Sequence, residues 1–284
     1  MKASPFAPLA SLALICFAAP ALAQDATPLP EPSALLLKVK ANQKHLQGLR
    51  HNYICKETDD SDEFDKNGAV KKHDTAEYDL YWQGHIEIRR MTSKNGKLLS
   101  AEELQKENDK IDRSAAKQER KLDEEDAKGD GQTIGIDTFL RASTFRGERR
   151  ETYQGRPVIA MELLPNPDFK PSTTAERIVH LLSGTVWIDE SAAQVVRLEA
   201  HLDKDFKMAG GLAVDIRKGS GAHLEQQRIN DEVWMPSLVD VNIQGRALLF
   251  AGLRQHIIQH FSDYRKFRTE TRIVSIEPTQ VEAK

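Results

Sequence analysis

Several groups of residues in this chain have the types from which sites are built. Asp189 and Glu190 are adjacent, with Glu199 and Asp203 close behind. Paired carboxylates serve glycoside hydrolysis, one donating a proton and the other acting as base or nucleophile, about 5–10 Å apart. Here they lie in GTVWIDESAAQVVRLEAHLD, between two apolar runs. Adjacent strand residues point to opposite faces and turn residues point to water, so the pair reads as the turn of a hairpin. His256 and His260, in HIIQH, have the best metal-ligand spacing. On a helix they would share a face and hold one zinc. The zinc-protease pattern also needs Glu directly after the first His, where this chain has Ile257. On a strand the two rings would stand about 13 Å apart. Cys55 sits in the strand-like NYICKETDD. A half-buried structural thiol is the simpler reading; an intermolecular bridge or a reactive thiol is the alternative. GGLAVDIRKGSG is glycine-rich but matches neither the dinucleotide nor the phosphate-loop pattern. Ser220 lacks the G-x-S-x-G frame of an activated nucleophile. From the sequence we read no catalytic set, no metal site and no cofactor.

The elements that would position these residues are mostly strands. Ser33 is a candidate helix cap, and Leu35, Val39, Leu46 and Leu49 form one apolar stripe. In EYDLYWQGHIEIRR, Tyr78, Leu80, Trp82, Ile86 and Ile88 take one parity and mostly polar residues the other. That alternation predicts two strands broken near Gln83-Gly84. Asn-Gly at 67–68 and 95–96 supplies turns. Residues 100–128 are dense in charge and free of proline, and Ser100 with Glu103 fits a capping box. Leu104, Ile111, Ala115 and Leu122 give this helix one thin seam. It reads as a solvated insertion, or alternatively as a partner-binding arm or a disordered segment. IDTFLRAS and TTAERIVHLL predict short helices. RRETYQGRPVIAMELLP is a hairpin, and the prolines of PNPDFKP make a linker. Val196, Leu198, Ala200 and Leu202 alternate with Arg197, Glu199 and His201, giving a strand with one wet face. RALLFAGLRQHIIQHFSDYRKF fits a helix or a long bent strand, and strand is preferred.

The ends bound the compartment. MKASPFAPLASLALICFAAPALAQ has a positive start, an apolar run and a small-x-small cleavage pattern. Residues 1–23 therefore read as a signal peptide cut near Ala23-Gln24, and 24–33 as a mobile lead-in. Cys16 raises a lipoprotein alternative, but Ile15 is too bulky for a lipobox. Cleavage would leave Cys55 as the one thiol, unable to form an internal disulfide. No later apolar run is long enough to span a bilayer. The formal net charge of -3 gives no electrostatic footprint for nucleic acid. The patches RGERR and YRKFR could touch anionic lipid, or be solvated strand ends.

GTVWIDESAAQVVRLEA, joined to DEVWMPSLVDV and SDYRKF, resembles the periplasmic lipoprotein carriers (LolA/LolB-like), and within them bacterial proteins described as outer-membrane lipoprotein-sorting-like. The resemblance covers about residues 34–270. It implies an α+β fold, mainly antiparallel β: a curved half-open β-barrel with helices on its concave side, here carrying the long charged helical insertion 100–128. Residues 271–284 would be a C-terminal tail. It also implies a non-enzymatic exported carrier or sensor, with a lipid or acylated protein as partner and a further protein partner possible through 100–128. Candidate lining residues for an apolar ligand are Tyr78, Leu80, Trp82, Trp187, Leu198 and Leu202; core packing accounts for the same residues. An envelope scaffold with a fully plugged sheet is the alternative reading, and a hydrolase with an unrecognised site the lesser one.

Overall fold

The computed structural model describes residues 28–65, 67–83, 86–126, 136–208, 214–247 and 251–266. The expected signal peptide and C-terminal tail lie outside the described residues. In chain order the elements are α1 (Pro32–Arg50), β1 (Tyr53–Phe64), β2 (Val70–Gln83), β3 (Ile86–Lys94), β4 (Lys97–Leu98), α2 (Ala101–Asp126) and α3 (Ile136–Ala142). Then come β5 (Ser143–Tyr153), β6 (Arg156–Pro165), α4 (Thr174–Val179), β7 (Leu182–Asp189), β8 (Gln194–Leu202), β9 (Phe206–Met208), β10 (Val214–Ile216), β11 (Gly221–Ile229), β12 (Val233–Ala247) and β13 (Ala251–Lys266).

The strands form one 13-stranded antiparallel sheet in the order β4-β3-β2-β1-β13-β12-β11-β8-β7-β6-β5, with β10 on β12 and β9 on β10. The sheet is not closed: β4 and β5 end the path without pairing with each other. The C-terminal strand β13 sits between β1 and β12, so it joins the amino-terminal strands to the rest. The histidine-bearing run 251–266 is thus a strand throughout. Among the described residues no helix is long and apolar enough to cross a membrane.

One sheet face is covered by helices. Leu35 and Val39 of α1 pack with Ile159, Met161, Val186, Ile188 and Val195. Further along α1, Leu46 meets Tyr53, Val233 and Met235. Phe139 of α3 and Ile178 of α4 pack against Leu182, Ala200, Leu202 and Phe206. The predicted leucine stripe therefore faces the sheet. The cap of α1 differs from expectation: Glu31, not Ser33, accepts from the Ala34 amide at 2.8 Å. Pro32 takes the first helical position, where its missing N–H costs no hydrogen bond, and this moves the start upstream.

A second correction concerns β8. Trp187 pairs with Arg197 and Ile188 with Val195, so Val196 is the extra residue of a bulge. It turns to the opposite face and packs with Val158 and Trp234. Strict alternation therefore holds from Leu198 onward but not through Val196. A similar slip falls at Pro236, where Gln226 pairs with Pro236 and Glu225 with Leu238. A proline has no ladder N–H to give, and a bulge tolerates that. Gly184 and Gly221 both face the backbone of β8 near Ala200. A Cβ at Gly184 would stand 1.8 Å from the Glu199 carbonyl oxygen, and one at Gly221 2.3 Å from that of Ala200.

Helix α2 starts at the predicted capping box: Ser100 N–H donates to Glu103 at 2.8 Å and Glu103 N–H to Ser100 Oγ at 3.3 Å. Leu104, Ile111 and Ala115 are half-buried, and Glu107 accepts from the Met91 amide of β3 at 3.4 Å. The first half of α2 thus rests on β3. The Leu122 side chain lies outside the described residues.

Candidate ligand cavity

Directly paired residues of antiparallel strands project to the same face. On β1 that face carries Tyr53, Cys55, Glu57 and Asp59. Register sets Leu80 beside Cys55 and Tyr78 beside Glu57 on β2, with Glu87 opposite Trp82 and Arg89 opposite Leu80 on β3. From β13, Phe261 lies beside Glu57 and Gln259 beside Asp59. The last turns of α1 close one end of this region through Leu46 and Leu49. Between them lies a cavity of about 230 Å³. Its apolar wall is Leu80, Trp82, Leu224, Met235, Pro236 and Phe261, and its polar lining is Arg50, Tyr53, Cys55, Glu87, Gln226 and Tyr264.

Most of these polar groups are committed. Tyr53 donates its hydroxyl to Glu232 at 2.6 Å and accepts from Asn230 at 2.9 Å. Tyr264 donates to the Pro236 carbonyl at 2.7 Å. Burial pushes the Cys55 thiol up to about 11, so it stays protonated and is a poor nucleophile. Glu87 reaches solvent, yet loss of hydration against the cavity wall raises its carboxyl, with Arg89 acting against the shift. Arg50 donates Nε–H to the Trp234 carbonyl at 3.3 Å.

Beside the cavity lies a charged cluster. Arg89 donates Nε–H to Glu57 at 2.7 Å, pairs with both Glu57 and Asp59, and lies 3.7 Å over the Tyr78 ring. Gln259 donates to Glu57 at 2.8 Å and to Asp59 at 3.1 Å. Desolvation, then the neighbouring Asp59, pushes Glu57 up to about 7 against the pull of Arg89. For Asp59, burial is outweighed by hydrogen bonds with Glu57, Arg89 and Gln259, and its carboxyl is lowered. Glu107 of α2 adds a small electrostatic effect on the Tyr78 hydroxyl, in the same direction as Asp59 and Glu57.

No family model and no curated protein matches the chain. Among solved structures, it is similar to an outer membrane lipoprotein-sorting protein domain from Vibrio parahaemolyticus, with a TM-score of 0.36 and 10% identity over 85% of this chain and 93% of that one. It is similar also to a DUF1329 family protein from Desulfovibrio piger, with a TM-score of 0.33 and 10% identity over 86% and 94% of the two chains. A third is MucB, solved in complex with MucA(peri), with a TM-score of 0.22 and 8% identity over 84% and 100%.

The candidate lining residues divide. Leu80 and Trp82 line the cavity, and Tyr78 lies on the same face under Arg89. Leu80 and Trp82 also border a second cavity of about 350 Å³ with His51, Ile54, Asp79, Tyr81, Arg90 and Arg265. There the His51 ring stacks on Trp82 at 3.9 Å. Trp187 stands on the other sheet face, with its indole N–H donated to Glu151 at 2.7 Å and Arg197 over its ring. Leu198 packs on the core under α1, and Leu202 is buried under α3 and α4.

Asp189 and Glu190 shape their hairpin. Asp189 is fully buried rather than pointing to water. It accepts from the amides of Ser191 at 2.9 Å and Ala192 at 2.8 Å and from Arg156 at 2.6 Å. These bonds, Arg156 first, outweigh burial and hold its carboxyl low. Glu190 takes two hydrogen bonds from Arg150, at 2.9 and 2.7 Å. The turn so fixed offers the Ala192 carbonyl to Asn42 of α1 at 3.1 Å. His256 bonds Asp240 at 2.8 Å, and His260 is exposed on the same strand. Asp60, Asp62 and His73 bring their ligand atoms within 4.8 Å of one another, an arrangement that exposed acids often adopt. Sequence reasoning missed Arg50 and Gln226. Arg50 resembled an ordinary basic residue in a last helical turn, and Gln226 a residue on a wet strand face.

Proposed function

We propose that the protein is an exported, non-enzymatic binding protein of the cell envelope that carries or senses an apolar ligand, a lipid or a lipoprotein acyl group. The carrying observation is the cavity beneath the end of α1, with its wall of Leu80, Trp82, Leu224, Met235, Pro236 and Phe261. Ligand sites are typically mostly apolar hollows with a few placed polar groups. In this reading residues 34–270 form one domain, and its sheet curves into a half-open barrel with α1, α3 and α4 on the concave side. The close approaches at Gly184 and Gly221 support such bending. Residues 100–128 are an insertion that shelters the polar end of that face. Residues 1–23 are removed, which leaves the protein periplasmic or secreted. A structural Asp189/Glu190 pair and a protonated Cys55 support a binding role over chemistry.

The test is native mass spectrometry of protein purified from its own host, beside Leu80→Trp, which fills the cavity. Co-purified lipid on wild type is expected, together with at least about tenfold weaker lipid binding by the variant at an unchanged fold. Lipid-free wild type that takes up no apolar probe would sink the carrier reading and favour the envelope scaffold.

A further inference from the structure

The cavity holds two polar side chains whose hydrogen-bonding capacity is unspent. Arg50 has five N–H donors. Its Nε–H goes to the Trp234 carbonyl, and its terminal amino groups make no hydrogen bond or ion pair with another described residue. Arg89, Arg150 and Arg156 by contrast each meet a carboxylate. Gln226 is 3% exposed, and its side-chain amide oxygen is buried without a partner. Register brings the two residues to one end of the cavity. Gln226 pairs with Pro236, two residues from the Trp234 carbonyl that holds Arg50.

We propose that this cavity recognises an amphiphile with one apolar chain and an anionic carboxylate or phosphate head, the head held by Arg50 and Gln226. The proposal rests on the reading of the cavity as a ligand site and narrows the ligand class. Arg50 is half-buried, and a guanidinium that has lost part of its hydration without a counter-charge is stabilised by a bound anion. Its planar fork matches carboxylate and phosphate oxygens alike. The unpartnered atom of Gln226 is its amide oxygen, so this side chain serves an anionic head only when its amide is turned to present the N–H donors. The walls from Leu224 and Met235 to Leu80 and Trp82 then receive the chain. Glu87 lines the same cavity from β3, opposite Trp82, and its electrostatic partner is Arg89. The competing role for Arg50 is to pin α1 to β12 through Trp234, which would give no preference among heads.

Isothermal titration separates the two roles. Wild type is titrated with decan-1-ol, decanoate and decyl phosphate at about pH 8, where both acidic heads are ionised. We expect at least one anion to bind about tenfold or more tighter than the alcohol, decanoate marking a free acid and decyl phosphate a lipid headgroup. Arg50→Met should remove that preference, so that the ratio of anion to decan-1-ol affinity falls to about one. Equal binding of all three by wild type overturns the proposal, as does a preference that survives in Arg50→Met. If none of the three binds, the ligand-site reading fails as well. Should Arg50→Met not fold, the wild-type ratio still decides. Gln226→Met, which leaves the Arg50–Trp234 bond in place, should then lower the preference several-fold; an unchanged preference removes Gln226 from the proposal.

Discussion

Strands β6 to β8 and strands β1 to β3 belong to one sheet, yet the faces they turn toward the helices are filled differently. In the first region Ile159, Met161, Val186 and Ile188 meet Leu35 and Val39 of α1 in an apolar cluster. In the second, the corresponding face carries Glu57, Asp59 and Arg89 beside Leu80 and Trp82, with a cavity between. The difference follows from what covers each. The first half of α1 supplies Leu35 and Val39, about one turn apart, to the first region, and their side chains fill the space there. At β1 the helix has ended, and Arg50 is its last residue. The strands beyond it hold polar groups that satisfy one another and leave room. One region makes the domain stable; the other has the features of a site.

The largest effect should come from charging the packed region. Leu198→Asp places a carboxylate against the core under α1, where an uncompensated charge costs about 3 kcal/mol. At about 2–4 °C per kcal/mol for a domain of this size, the melting midpoint should fall by about 6–12 °C. A change within about two degrees would show that Leu198 faces water and would weaken the contrast. Removing 101–126 and rejoining the ends with a short Gly/Ser linker should do less to stability, because loop closure changes slowly with length. It should uncover the part of β3 where Glu107 meets the Met91 amide, and so raise the fluorescence of a hydrophobic dye. Unchanged dye fluorescence would mean that α2 shelters nothing.

The smallest effect is a pH slope. Glu57 has its folded value raised from 4.5 to about 7, so the folded state binds its proton more tightly than the unfolded chain does. Its contribution is fully present below about pH 4.5 and is lost as pH rises to about 7. Glu57→Gln should therefore gain stability relative to wild type between about pH 5 and pH 8. The difference between their melting midpoints, followed across that range, tests this. A difference that stays flat would mean that Arg89 keeps Glu57 ionised throughout, and that the polar region is a set of ion pairs with no pH dependence of its own.

Much of the architecture is written in local pattern. The alternation at Tyr78–Ile88, the turn at Asn95-Gly96, the capping box at Ser100 and Glu103 and the stripe on α1 are each legible because period and turn chemistry act over a few residues. Where local pattern failed, one extra residue was enough: the bulge at Val196 reverses its face without changing composition. The strand ambiguity at 251–266 was resolved by neighbours, since β13 hydrogen-bonds to β1 and β12 at once.

The sequence by itself determined the alternating strands, the amphipathic first helix and the turn role of Asp189 and Glu190, because each depends on residues near one another in the chain. Tertiary structure alone decided which alternating faces become core and which border a cavity. Arg50, Gln226 and Tyr264 come from three distant elements and meet only when β13 inserts beside β1. No period or spacing encodes that meeting. The register of the sheet does, and register is fixed by burial over the whole domain.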